Sequence, residues 1–106
     1  MPCQEVAFAA AKCRIEIGPV LGNGNGNGNG TREFAATMAV IDEGSRTLRP
    51  LIVLDGRPAE VHADSESHAL RQAIAFLERR LGSSRRVALL RDRTRLPVGE
   101  PITIAE

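Results

Sequence analysis

Apolar residues alternate with polar ones over most of this chain, and the phase of that alternation predicts where strands run. From Gln4 to Ile17 the pattern reads as one strand with a fault: Val6, Phe8 and Ala10 share one parity, whereas Cys13, Ile15 and Ile17 share the other. A β-bulge near Ala11 and Lys12 would restore a single apolar face. Gly18-Pro19 ends this strand. The segment Glu33 to Ile41 alternates cleanly, with Phe34, Ala36, Met38 and Val40 on one side, and is expected to be the antiparallel partner of the first strand. Between the two lies Gly22–Gly30, a strict Gly-Asn alternation that supplies no apolar surface and favours a flexible loop.

Asp42-Glu43-Gly44-Ser45 is a turn cluster, and Leu48 to Leu54 is a third strand too apolar to face only water. Asp55-Gly56 is a hairpin signal, from which a short fourth strand, Ala59 to Ala63, would pair back, its start confined to an edge by Pro58. Period two then gives way to period 3.6. Leu70, Ala73, Ile74, Leu77 and Leu81 form one stripe of a helix. Asp64 or Ser65 can cap its start, and Glu66 suits the positive end of its dipole. Arg79 and Arg80 suit the negative end, before Gly82 stops it. Beyond Ser83-Ser84, Arg86 to Leu90 is a candidate fifth strand, and Pro101 to Ala105 is either a sixth strand or part of a loose tail over residues 92–106. The fold class implied is α+β: an antiparallel meander of four to six strands with one amphipathic helix packed on one face, a two-layer sandwich.

Composition narrows this reading. At 106 residues and 42% hydrophobic content the chain suits a single domain spanning 1–106 with one modest core. Phe8, Phe34 and Phe76 are its only aromatic residues, which argues against base stacking as a mode of nucleic-acid readout. A formal net charge of +1 provides no global field toward nucleic acid or an anionic membrane. Cys3 and Cys13 are too few for a zinc knuckle and read as free thiols. No apolar run reaches membrane-spanning length, and the short stretch from Val6 to Ala11 lacks the basic start of a signal peptide, so a bacterial cytoplasmic location is expected.

Three segments invite chemistry. The Gly-Asn tract fails the dinucleotide pattern and the nucleotide-triphosphate loop alike, because both need glycine where Asn27 stands, and no cofactor is expected. Glu60, His62, Asp64, Glu66 and His68 fall at every second position, and imidazole with carboxylate is a ligand set for a divalent transition metal. His62, Asp64 and His68 are the candidate ligands. A turn into helix at Ser65 would break their common face, so neither a metal site nor acid-base catalysis is the leading expectation. Arginines 71, 79, 80, 85, 86, 91, 93 and 95 face only Glu78 and Asp92 as counter-charges over the same stretch. Arg79, Arg80, Arg85 and Arg86 are therefore the candidate contacts to phosphates or to an acidic protein. Nucleophile motifs such as Gly-x-Ser-x-Gly are absent, and no catalytic residue is assigned.

Two resemblances attach to the helix. Ala63-Asp64-Ser65, His68-Ala69-Leu70, Ala73-Ile74 and Leu77, together with Ile17-Gly18-Pro19, resemble a family of small bacterial α+β domains over roughly residues 10 to 82. That resemblance carries no activity. Asp64-Ser65-Glu66-Ser67-His68-Ala69 is similar to the Asp-Thr-x-x-Glu-Ala helix opening of HicB-type antitoxins, with histidine where glutamate is usual, which would imply toxin binding. The leading expectation is a non-enzymatic module that engages a protein partner or a second copy through a strand edge or the arginine-rich region. The alternatives are a nucleic-acid-associated or antitoxin-like regulator and a metal-binding protein.

Overall fold

The computed structural model describes residues 3–20, 33–85 and 96–105. The chain runs β1 (Cys3–Phe8), β2 (Lys12–Pro19), β3 (Phe34–Asp42), β4 (Thr47–Val53), β5 (Glu60–Ala63), α1 (Glu66–Leu81), β6 (Ser84–Arg85) and β7 (Ile102–Ile104). Among the described residues it is an α+β arrangement: an open mixed sheet, ordered β6-β1-β2-β3-β4-β7, with β5 added beside β3 and one helix packed against it.

The phase change between Phe8 and Cys13 is a hairpin, not a bulge. The expected single strand folds back at Ala9–Ala11, where the Phe8 amide donates to the Ala11 carbonyl at 2.8 Å. Val6 then sits opposite Cys13 and Gln4 opposite Ile15. Partners in this register have opposite parity, so one apolar face continues across the turn while its sequence phase flips. The Glu33 to Ile41 expectation holds, since β3 pairs antiparallel with β2 from Lys12↔Ile41 to Pro19↔Phe34. The Gly-Asn tract of that connection lies outside the described residues, as does the Arg86 to Leu90 strand.

The far edge of β3 is divided between two strands. Its C-terminal half, Ala39–Asp42, pairs with Thr47–Pro50 of β4. Pro50 has no amide hydrogen to donate, and there β4 parts from β3. Leu51–Val53 runs on beside β7, and β7 is parallel to it, which corrects the expectation of an all-antiparallel sheet. The chain turns at Asp55-Gly56, where Gly56 has a φ of 88° and Asp55 Oδ1 accepts from the Arg57 amide at 3.1 Å. Its return corrects the sequence reading as well. Pairing of the returning chain with β4 is limited to an isolated bridge, Ile52↔Pro58, and hydrogen bonds such as Ala59 N–H to the Leu51 carbonyl at 2.9 Å. β5 instead takes the half of β3 that β4 has left, Phe34–Thr37.

α1 forms for the reasons its sequence suggests. Ser65 is the N-cap and its Oγ accepts from the His68 amide at 3.1 Å. At the other end Gly82, with a φ of 88°, donates its amide to the Glu78 carbonyl. Ala69, Ala73 and Leu77 are the buried positions, with Leu70, Ile74 and Leu81 packed partly buried beside them. The deepest row of the stripe therefore includes Ala69. Two small residues there let the helix axis approach the sheet closely, over Val6, Cys13, Ile15, Ala36 and Met38. The Ala9–Ala11 turn docks on the helix end: Ala9 donates to the Ser83 carbonyl and Ala10 to the Leu81 carbonyl.

Candidate functional site on the sheet face opposite the helix

Strand alternation sends every second side chain away from α1. The registers align these outward positions in rows: Glu5–Arg14–Ala39–Pro50, then Lys12–Ile41–Leu48, then Cys3–Glu16–Thr37–Glu60, then Gly18–Ala35–His62. Ile52 continues the row side of β4. No described helix covers this face. Ala39, Ile41, Leu48, Pro50 and Ile52 stand half-buried on it, forming an apolar strip on β3 and β4.

Beside the strip, on β1 and β2, is an ion cluster. Arg14 is only 5% exposed, and its Nη2 donates to Glu5 Oε2 at 2.9 Å, while Lys12 Nζ lies 3.3 Å from Glu5 Oε1. Two cations therefore share one carboxylate. A buried guanidinium needs such a counter-charge, because leaving it unpaired away from water would cost several kcal/mol, on the order of 3–5. Nothing in the alternation of residues 12–16 marks Arg14 as buried, since it faces the side that the pattern assigns to solvent.

The histidine-carboxylate series divides. His62 points outward from β5, its Nδ1 2.9 Å from Glu33 Oε1 and its Nε2 2.9 Å from Glu60 Oε1. Those hydrogen bonds, Glu60's first and Glu33's second, raise its pKa above the ordinary histidine value against a small opposing effect of desolvation. His68 lies on the first turn of α1, with Nδ1 3.0 Å from Asp64 Oδ1 and Nε2 3.2 Å from Gln72 Nε2. The His68 hydrogen bond holds the Asp64 carboxyl below the usual carboxylate range. The strand ends at Ala63, so Asp64 turns to the helix and does not share a ligand set with His62. Among the described residues, no group of three or more histidine, cysteine, aspartate or glutamate side chains is placed to hold a metal ion. Glu33, the partner that sequence reading missed, is 29 positions from His62 and becomes its neighbour only through the β3–β5 pairing.

The arginine candidates divide too. Arg80 lies 3.9 Å over the Phe76 ring and donates to the carbonyls of Phe76 and Ala105, at 3.2 and 2.9 Å. It ties the helix to the end of β7. Arg79 and Arg85 are exposed, and Arg86 lies outside the described residues. Both thiols are buried, and burial pushes the Cys13 thiol up to about 12, far from a nucleophile's range. Among the described residues no helix is long and apolar enough to cross a membrane.

Set against models of known families, against curated proteins and against solved structures, the chain matches none.

Proposed function

We propose that the protein is a non-enzymatic association module, a two-layer sandwich of sheet and helix whose sheet face opposite the helix docks a protein partner, with a second copy of the chain as the simplest occupant. The observation that supports this reading is the half-buried strip Ala39, Ile41, Leu48, Pro50 and Ile52, set beside the charged cluster of Glu5, Lys12 and Arg14. An apolar centre bordered by charge is the common anatomy of protein interfaces, in which the core supplies affinity and the rim supplies register. The alternative, a nucleic-acid-associated or antitoxin-like regulator, has less to work with among the described residues. There Arg80 is engaged internally, and the exposed Arg71, Arg79 and Arg85 make a small electrostatic footprint.

The test is light scattering coupled to size-exclusion chromatography on the wild type and on Ile41→Glu. The wild type is expected above its 11.4 kDa monomer mass, in a form stable between low and moderate salt. Ile41→Glu is expected to be monomeric and folded. A wild type that stays monomeric at high micromolar concentration would overturn self-association. Binding to nucleic acid that collapses on adding salt would favour the arginine reading instead.

A further inference from the structure

We infer that His62 is a proton-operated clasp, joining the segment that enters β3 to strand β5 through Glu33 and Glu60 when the imidazole carries two protons, and releasing one of them when it carries one. The ring lies along the outer face with each nitrogen 2.9 Å from a carboxylate oxygen. An ionised carboxylate only accepts hydrogen bonds, and neutral imidazole has one N–H donor and one bare nitrogen. Both contacts together therefore require imidazolium. In the neutral ring a nitrogen lone pair faces a carboxylate lone pair, and that arm opens.

The position gives the clasp something to hold. The Glu33 carbonyl accepts from the Val20 amide at 2.8 Å, the outermost backbone bond described between the two sides of the β2–β3 connection. Glu60 opens β5 opposite Thr37, and His62 stands opposite Ala35. Among the described residues the charged groups around the ring are Glu33 and Glu60 in contact, Glu16 across Thr37 on the same face, and Asp64 along the chain, the last already held by His68. α1 packs on the other face and brings no charge to it. The two carboxylates in contact, Glu60 and Glu33, are what raise the His62 pKa. The ring is solvent-facing, so protons exchange freely and the clasp answers to bulk pH.

The experiment is an NMR titration of the full chain from pH 5 to 9, following the His62 Hε1 resonance and the amides of Val20, Ala35 and Val61, in the wild type, Glu33→Gln and Glu60→Gln. The expected result is a wild-type midpoint above the ordinary value of 6.5, a downward shift in each variant, and amides that titrate with the ring. A midpoint at or below that value would overturn the proposal. So would a midpoint moved by only one of the two variants, which would make the contact a single ion pair. The titration is run on the monomeric Ile41→Glu background as well, so that occupancy of the sheet face by a second copy does not enter the midpoint.

Discussion

Under α1, Cys13, Ile15 and Leu77 are fully closed off, whereas on the opposite face Ile41, Leu48 and Ile52 are only partly buried beside a network of charges. The same strands build both faces, so backbone geometry does not explain the difference. What differs is the partner. The covered face has a helix whose Ala69 and Ala73 let it sit low and whose Leu77 fills the space between strands. The other face meets its charges by pairing them within the sheet. The comparison teaches that, among the described residues, the deepest apolar burial lies on the helix side of the sheet.

The largest effect that would sharpen this contrast is expected from Leu77→Ala. It removes a fully buried side chain from a site the sheet cannot collapse into, at a cost of about 3 kcal/mol. Ile41→Ala on the outer face is expected to cost less, about 1–2 kcal/mol, because Ile41 is only partly buried. Urea unfolding of both variants checks the pair. Equal losses would mean that the outer strip is part of the core and not a spare surface.

Next in size is the ion cluster. Glu5→Leu leaves Arg14 buried without the carboxylate that faces it, with an expected loss of about 2 kcal/mol, toward the lower end for buried pairs because Glu5 keeps some contact with solvent. The double replacement Glu5→Leu with Arg14→Met is expected to recover most of that loss, since the buried guanidinium that faced the carboxylate is then gone too. A double-mutant cycle reads the coupling directly. If the single and double variants lose the same amount, the pair contributes through packing and not through charge.

The strongest sequence signals were local ones. The period-3.6 stripe, the Ser65 cap and the Gly82 stop place α1 because each works through residues within a turn or two of itself. The β1–β2 hairpin was misread for a physical reason: a bulge and a tight reversal both switch the parity of an alternating run. Ala9, Ala10 and Ala11 carry no turn chemistry of their own, and the reversal is held by the distant carbonyls of Leu81 and Ser83. The parallel seat of β7 and the role of Arg80 are likewise set by partners far along the chain. Equally, the even spacing of Glu60, His62 and Asp64 predicted a common face. It could not show that the strand stops at Ala63, or that Glu33 would supply the second carboxylate to His62.

That docking of the turn on the helix end gives a third prediction. Gly82 combines a φ of 88° with a ψ of −169°, and a Cβ there would stand 2.9 Å from the Cβ of Ala9. This backbone region is open almost only to glycine, so Gly82→Ala is expected to cost about 2 kcal/mol. Ala9→Gly combined with it should recover only the part due to the clash. Full recovery would show that the backbone conformation itself carries no strain.

The smallest expected effect is that of pH on the outer face, and its sign follows from the direction of each shift. His62 has a folded pKa above its unfolded one, so its contribution is fully present below the unfolded value of about 6.5 and is lost as pH rises through the folded value. Asp42 and Asp55 are shifted down, chiefly by the amide of Ser45 in one case and of Arg57 in the other. What they contribute is present above about 3.8 and is lost as pH falls through their lowered values. A solvent-facing pair such as His62 with its carboxylates is worth on the order of 0.5 kcal/mol. The melting temperature of the wild type should therefore exceed that of His62→Gln slightly at pH 5.5, and the two should converge by pH 8.5. On the covered face the same comparison, Leu77→Ala against wild type, should give a difference that pH does not change over this range. A His62→Gln difference equally insensitive to pH would place that ring with the packing residues and remove the electrical distinction between the two faces.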